Sequence, residues 1–260
     1  FDPQRYRIIL FDQRGCGRSL PHGNLENNNS QCLVADLNRV RMHLNIDRWH
    51  IFGGSWGATL ALLYAQSHPQ DVLSMVLRGI FLARPEDNDW TFNGGGARRI
   101  FPDYYADFLQ ALPPEVHNDI IPGAYRLMLG EDKKAALAAA HAWSIWEIRC
   151  STLRPNDAYV TANTDDQAHW TLARHEAHFM ANKCFLEANQ ILENCHKIVH
   201  IPCSIVHGRY DVVCPFDQAW LLHQELPLSK LIISETAGHA STEPETKAQL
   251  IAATDKMLLL

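Results

Sequence analysis

The sequence predicts an α/β fold in which a parallel sheet is interrupted by a helical insertion. Short β-rich runs alternate with helical segments over residues 1–83 and again over residues 195–260, and this alternation is typical of a parallel sheet covered by helices. Residues 84–194 contain helical patterns and almost no strand-like run. A glycine-rich turn joins a strand to a helix at residues 53–57. We therefore expect a sheet-containing core, 1–83 with 195–260, and a helical cap, 84–194.

The first part of the chain supplies the first strands and helices of this core. Residues 7–11 (Arg-Ile-Ile-Leu-Phe) form a β-rich run of the kind found in a buried parallel strand. A glycine-bearing loop follows at 12–19, and Asn and Ser at 27–30 are N-cap candidates. Beyond them, apolar residues recur at helical spacing: Leu33, Leu37, Val40 and Leu44. The strand at 49–52 leads into the glycine-rich turn, and Val72–Leu77 reads as the next strand.

The remaining elements divide between the predicted cap and the end of the core. The clearest helix of the cap covers 135–148, and 166–192 is a second helical region. In the core, we expect strands at 204–207 and 231–233 and helices at 216–224 and 243–258.

Composition excludes several classes of function. The net charge of −6, from 23 basic and 29 acidic residues without a basic tract, argues against nucleic-acid binding. No apolar run approaches the roughly 18 residues of a membrane span. The seven cysteines are scattered, without a C-x-x-C pair, so we expect no zinc ribbon, no disulfide framework and a cytoplasmic location. His175 and His178 do not complete an H-E-x-x-H zinc motif, so we expect no metal.

The turn at residues 53–57, Gly-Gly-Ser-Trp-Gly, carries the strongest chemical signal. A G-x-S-x-G turn between a strand and a helix is a nucleophile elbow, which lifts the serine hydroxyl clear of the sheet. It also places the serine at a helix N-terminus, where backbone N–H groups stabilise developing negative charge. This pattern predicts Ser55 as a nucleophile on an α/β-hydrolase fold.

A serine hydroxyl needs a base, and the base needs an acid that orients it. In α/β-hydrolases the acid and then the histidine follow the serine along the chain, on loops after late strands. Asp211 lies just past one predicted strand, and His239 lies in the loop after the next. Asp217, on the following helix, is the alternative acid, and His207 reads as a packed, hydrogen-bonded residue.

Several more specific motifs extend from one end of the chain to the other. They are Phe-Asp-Pro at 1–3, Asp-Gln-Arg-Gly-Cys-Gly-Arg-Ser at 12–19, Gly-Gly-Ser-Trp-Gly at 53–57, Leu-Arg-Gly-Ile-Phe at 77–81, Trp143 with Trp146-Glu147, Glu-Ala-His-Phe at 176–179, His-Gly-Arg-Tyr-Asp at 207–211, Cys-Pro at 214–215 and Gly-His at 238–239. With them the chain resembles the prolyl aminopeptidase (proline iminopeptidase) family, serine exopeptidases of the α/β-hydrolase fold. The resemblance implies a triad of Ser55, Asp211 and His239, and no cofactor.

The resemblance also implies how the substrate, a small peptide with an N-terminal proline, is recognised. Glu147 and Glu176 of the cap would hold its charged α-amino group, and Phe81 would line the pocket of the proline ring. The role is sensible for an exopeptidase, because buried carboxylates bind a free ammonium by charge-assisted hydrogen bonds and are left unpaired by a neutral amide.

One family feature has no counterpart in this sequence. The family carries a His-Gly-Gly-Pro-Gly loop upstream of Phe-Asp-Pro, and the backbone of that loop donates hydrogen bonds to the oxyanion. Here the Trp56 N–H supplies one donor, and the chain begins at Phe1 rather than at a methionine. We therefore expect a preceding segment with the second donor and a strand between those at 7–11 and 49–52. Residues 1–260 alone are expected to be unstable or inactive.

Two other functions are compatible with the same motifs. A carboxylesterase or lactonase could use the same triad under an apolar cap. A non-catalytic α/β-hydrolase could serve as a binding module, although the presence of all three triad residues argues against it.

Overall fold

The chain folds around a four-stranded parallel sheet. The structure, a computed structural model, describes residues 1–163 and 166–258, and the side chains of 166–168 lie outside that description. The chain groups into two compact units. We call residues 1–11, 30–82 and 187–260 the core unit, and residues 12–29 and 83–186 the helical unit.

All four strands belong to the core unit, in the spatial order β1-β2-β3-β4. They are β1 Trp49–Ser55, β2 Val72–Ile80, β3 Cys203–Gly208 and β4 Ser229–Ser234. Every neighbouring pair is parallel, and Leu77 of β2 lies between Gly53 of β1 and Ile205 of β3. β2 is buried along most of its length, as expected for a central parallel strand. Because the strands are parallel, their carboxyl ends meet at one edge of the sheet.

The α-helices follow in chain order. They are α1 Ser30–His43, α2 Trp56–Ser67, α3 Pro85–Thr91, α4 Ala97–Ile100, α5 Pro102–Gln110, α6 Ile120–Leu129, α7 Lys133–Cys150, α8 Asp157–Ala162, α9 Asp166–Ala181, α10 Gln190–Glu193, α11 Phe216–Glu225 and α12 Pro244–Met257. Across residues 1–163 and 166–258, none of the helices combines the length and the apolar character needed to cross a bilayer.

The core unit is held together by apolar packing on the sheet. α2 is buried from Ala58 to Gln66, which explains why its sequence is apolar on every side. α12 packs on the sheet through a cluster of Val76, Val206, Leu250, Ala253 and Met257.

The predicted strand at 7–11 is wrong. Residues 6–10 have no regular structure, and the side chains of Ile8 and Leu10 are 44% and 79% exposed. β-propensity measures how well side chains suit a pleated, half-buried surface, and a strand also needs a neighbour for its backbone groups. The described sheet contains only β1 to β4, so this segment has no neighbour. Instead, the Tyr6 hydroxyl donates to the Thr254 carbonyl at 2.6 Å.

The other predicted elements are confirmed, with shifted ends. α1 begins at Ser30, β2 continues beyond the predicted strand to Ile80, and α7 contains the predicted helix. Asp132 caps α7, because its Oδ1 accepts hydrogen bonds from the N–H groups of Lys134 and Ala135. The predicted helical region at 166–192 is broken after α9, where Cys184 has a φ of 52°.

The helical unit has an aromatic core built on α7. Trp143 stacks on Phe92 with ring centroids 3.8 Å apart, and Trp146 stacks on Phe108. The Trp146 indole N–H donates to the carbonyl of Thr91 at 3.0 Å. Stacked rings with a satisfied indole N–H allow two tryptophans to be fully buried.

The units differ from the predicted domains, 84–194 against the rest, at residue 83, which groups with the helical unit, and at two longer segments. The loop at 12–29 groups with the helical unit, where the Arg14 carbonyl lies 3.1 Å from His175 Nε2 and the Asn28 carbonyl lies 2.7 Å from His178 Nε2. Residues 187–194 group with the core unit, where the Gln66 side chain donates to the Ile191 carbonyl at 2.7 Å.

A buried hydroxyl fixes the chain just after β2. Thr59 of α2 is fully buried, and its Oγ1 donates to the carbonyl of Phe81 at 2.6 Å. We expect Thr59→Val, which keeps the shape of the side chain, to lower the free energy of unfolding by about 1–3 kcal/mol, because the buried Phe81 carbonyl loses its donor. Urea denaturation measures this. Thr242→Val, at an exposed position of the same unit, is the matched control, and equal effects of both substitutions would contradict the assignment.

Candidate active site

Ser55 stands on a sharp turn between β1 and α2. It is the last residue of β1, and its backbone has φ 56° and ψ −125°, a strained conformation for a serine. A Cβ on Gly53 would lie 2.2 Å from the carbonyl oxygen of Gly57, so only glycine permits this turn. The structure therefore has the strand, sharp turn and helix expected of a nucleophile elbow.

Asp211 and His239 are in direct contact. Asp211 follows β3, and His239 lies in the loop after β4, so both stand at the carboxyl edge of the sheet. The Asp211 Oδ2 lies 2.7 Å from Nδ1 of His239, and Oδ1 accepts the backbone N–H of Cys214 at 2.8 Å. Both residues are buried. A carboxylate only accepts hydrogen bonds, so the Nδ1 proton of the imidazole points at Asp211.

The surroundings of Asp211 favour its charged form. Burial by itself would raise the pKa of this carboxyl, but attraction to His239, the hydrogen bond with it and the Cys214 N–H outweigh burial and lower the pKa. The buried carboxylate is therefore ionised at neutral pH. Asp217, the alternative acid, is the second residue of α11. The hydrogen-bond partner of Nδ1 of His239 is Asp211 and not Asp217.

His207 is packed beneath the acid, as the sequence predicts. Its Nδ1 accepts the backbone N–H of Ile80 at 3.1 Å, and its Nε2 donates to the Cys214 carbonyl at 2.8 Å. The ring is fully buried, and burial lowers its pKa. A neutral imidazole has one donor and one acceptor, and both are used here. His207 thus supports the loop that carries Asp211.

Two residues next to His239 carried no role in the sequence analysis. Gly79 has a φ of 54°, and a Cβ there would lie 2.8 Å from Cε1 of the His239 ring, so a side chain would collide with the imidazole. Arg78 places Nη1 2.9 Å from His239 Nε2 and donates to the His239 carbonyl at 3.0 Å. Gly79 could have been identified from the sequence, because a glycine inside a strand-like run often marks a close approach of another group to the backbone. No comparable sequence pattern indicated the role of Arg78.

The contacts of Arg78 define the state of the imidazole. A guanidinium only donates, so Nε2 of His239 accepts and carries no proton. Within residues 1–163 and 166–258, Asp211 and Arg78 are the hydrogen-bond partners of this ring, and the Ser55 hydroxyl is not among them. The guanidinium also lies against Gly54, the residue before Ser55.

The remaining predicted residues of the core unit are Trp56 and Phe81. Trp56 is the first residue of α2, where the helix dipole favours negative charge. Phe81 follows β2 directly and is largely buried.

Glu147 and Glu176 form a pair inside the helical unit. Glu147 lies on α7 and Glu176 on α9, and their carboxyl groups are neighbours. The Trp143 indole N–H donates to Oε2 of Glu176 at 2.7 Å. Burial, and then repulsion from Glu147, raise the pKa of Glu176 well above its usual value. Two buried carboxyl groups in close proximity resist ionising together, so the neutral form of Glu176 is favoured.

One acceptor of this pair has no donor. Oε2 of Glu147 is buried and has no hydrogen-bond partner in the part of the chain that the structure describes. A buried acceptor without a donor is costly, so the pair is suited to a cation that brings several N–H donors.

The histidines beside Glu176 already have protein partners. His175 Nδ1 lies 2.7 Å from the Thr171 carbonyl, and His178 Nδ1 lies 2.8 Å from the Tyr125 hydroxyl. Across residues 1–163 and 166–258, no group of three or more His, Cys, Asp or Glu side chains is arranged to hold a metal ion.

Comparisons with known proteins agree with this geometry. Residues 1–245 match the family described as alpha/beta hydrolase fold. The chain is 47% identical to a probable proline iminopeptidase of Leptolyngbya boryana, over 99% of this chain and 80% of the relative. It is 45% identical to a proline iminopeptidase of Xylella fastidiosa, over 99% and 82%.

Solved structures show the same fold at lower sequence identity. An esterase from Exiguobacterium antarcticum superposes with a TM-score of 0.60 at 18% identity, over 95% of this chain and 79% of the esterase. With a parallel sheet, a strained serine turn and relatives matched over nearly its whole length, the chain belongs to the proline iminopeptidase family of α/β-hydrolase-fold enzymes.

Proposed function

We propose that this enzyme releases an N-terminal proline from small peptides through a Ser-His-Asp triad. The observation that carries the proposal is the buried Asp211–His239 hydrogen bond at the same sheet edge as the strained Ser55 turn. The iminopeptidase relatives supply the substrate class.

The proposed reaction proceeds in two steps. Nε2 of His239 takes the Ser55 proton as the hydroxyl oxygen attacks the prolyl carbonyl, and Asp211 stabilises the resulting imidazolium through Nδ1. The Trp56 N–H donates to the oxyanion. When the C–N bond breaks, the Nε2 proton passes to the leaving amine and a prolyl ester of Ser55 remains. Water, activated by the same imidazole, then hydrolyses the ester.

The glutamate pair is proposed to select a free N-terminus. The prolyl ammonium binds between the two carboxyl groups and donates to Oε2 of Glu147, and the proton that the neutral Glu176 gives up passes to solvent. An acylated N-terminus brings no positive charge and leaves the pair without a cation. Phe81 is proposed to line the pocket for the proline ring.

We further propose that the enzyme works on peptides in the cytoplasm, without nucleic acid or membrane as a partner. All seven cysteines are free thiols, which suits a reducing compartment. Burial raises the pKa of Cys184 and Cys195 to about 12, so these thiols are unreactive packing residues rather than nucleophiles.

The nucleophile is tested by covalent labelling. A fluorophosphonate should label the enzyme once, at Ser55, and Ser55→Ala should abolish both labelling and hydrolysis of a proline arylamide. Ser67→Ala is the matched control. Ser67 ends α2, the helix that follows Ser55, and its hydroxyl donates a hydrogen bond to the Leu63 carbonyl, so this variant should be labelled as wild type is. Asp211→Asn should lower kcat by about 10⁴-fold, since the imidazole loses its orienting acceptor. Labelling that persists in Ser55→Ala would exclude this serine.

Amine recognition is tested with a proline arylamide and its N-acetylated counterpart. The free amine should be strongly preferred, and Glu176→Gln and Glu147→Gln should each lower kcat/KM for it by about 10²-fold, because each removes one of the two charged acceptors of the ammonium. Glu131→Gln, at an exposed position of the same unit, is the control. Equal turnover of both substrates would reject the proposal. The esterase alternative would be favoured if neutral esters are the best substrates of the enzyme and both glutamine variants hydrolyse them as fast as wild type does.

The lowered pKa of Asp211 makes a prediction about acid stability. Because its pKa is lower in the folded than in the unfolded chain, Asp211 stabilises the fold above the unfolded value of about 4, and this contribution disappears as pH falls through the folded value. The difference in unfolding free energy between wild type and Asp211→Asn should therefore be constant at pH 5–7 and shrink in more acidic solution. Denaturation at each pH measures it, with Asp217→Asn as a control carboxylate. A difference that grows towards acid would contradict the sign.

A further inference from the structure

The guanidinium of Arg78 is a positive charge without an anionic partner. It is partly buried, and its described contacts are Nε2 and the carbonyl of His239 and the backbone at Gly54. No carboxylate of residues 1–163 and 166–258 forms an ion pair with it. Arg41 and Arg84, two other arginines with little exposure, pair with Asp71 and Asp87. A desolvated guanidinium is stabilised most by a carboxylate, which it binds through two parallel hydrogen bonds.

The atom that Arg78 contacts is the one that meets the leaving group. In the proposed reaction, Nε2 of His239 delivers its proton to the leaving amine, so this nitrogen must come within hydrogen-bond reach of Nε2. Nη1 of Arg78 lies 2.9 Å from Nε2 and therefore beside the leaving residue. When the substrate is a dipeptide, that residue is a free amino acid whose carboxylate is one carbon away from the amine nitrogen.

We infer that Arg78 binds the free α-carboxylate of the leaving residue, so that dipeptides with an N-terminal proline are the favoured substrates. This inference rests on the proposed function and adds a specificity residue to it. The carboxylate draws the guanidinium from Nε2 and leaves the nitrogen's lone pair available for the Ser55 proton. In a longer peptide or a peptide amide, the same position holds a neutral amide. This group neither forms an ion pair with the Arg78 guanidinium nor draws it away from Nε2 of His239.

Three substrates separate this inference from the proposed function. Prolylglycine has a carboxylate at the leaving residue, prolylglycinamide has a neutral amide there, and a proline arylamide has neither. Wild type should prefer prolylglycine over prolylglycinamide by about 10- to 100-fold in kcat/KM, the range of one charge-assisted hydrogen-bonded pair. In Arg78→Met this ratio should fall to about 1, and Arg78→Lys should retain an intermediate ratio because it keeps the charge but loses the bidentate geometry.

The control is Arg39→Met, which removes an exposed positive charge from the same unit and should keep the wild-type ratio. A wild-type ratio near 1, or a wild-type ratio that persists in Arg78→Met, overturns the inference. An equal loss on both substrates in Arg78→Met also overturns it, since that is the result of a merely structural role. If Arg78→Met does not fold, Arg78→Lys and wild type decide the question. Failure of wild type to cleave the proline arylamide would instead reject the proposed function, whatever the ratio.

Discussion

The site depends on one buried hydrogen bond, between Asp211 and His239. The carboxylate can be charged in a fully enclosed position because the imidazole and the Cys214 N–H both donate to it. The parallel order of the sheet brings the loops after β3 and β4 to the same edge, and the neutral ring of His207 donates to the Cys214 carbonyl and so supports the loop after β3. Gly79 leaves the space that the imidazole occupies. Each of these features serves the geometry of that single contact.

Two further charged groups of the molecule are unsatisfied, and they have opposite signs. Among residues 1–163 and 166–258, the glutamate pair of the helical unit has a buried oxygen without a donor, and Arg78 of the core unit has no carboxylate partner. Structural charges inside proteins are normally paired, as Arg84 is with Asp87, because an unpaired charge away from water is costly. Groups left unpaired are suited to charges that a ligand brings.

The parts of the fold with local signals could be predicted from the sequence. The elbow is specified by its own glycines, and α7 by its run of helix formers behind the Asp132 cap. The prediction failed at residues 7–11, because a strand is defined by its neighbour as much as by its side chains.

The candidate site shows the same limit. The sequence order of Ser, Asp and His predicted which loops to examine, and the structure brings Asp211 and His239 together. The contact of Arg78 with the imidazole and the proximity of the two glutamates join residues far apart in the chain, so no local sequence pattern predicts them.

The partners of His239 also determine what must happen before the reaction begins. Asp211 can only accept and Arg78 can only donate, so the resting ring has its proton on Nδ1 and its lone pair on Nε2. This is the tautomer that a general base needs. The lone pair is engaged by the guanidinium, however, and it cannot accept the Ser55 proton while that hydrogen bond lasts. In the proposed reaction, transfer of the Ser55 proton therefore requires Arg78 to move off Nε2, and the carboxylate that we infer at the leaving residue is the group whose charge favours that movement.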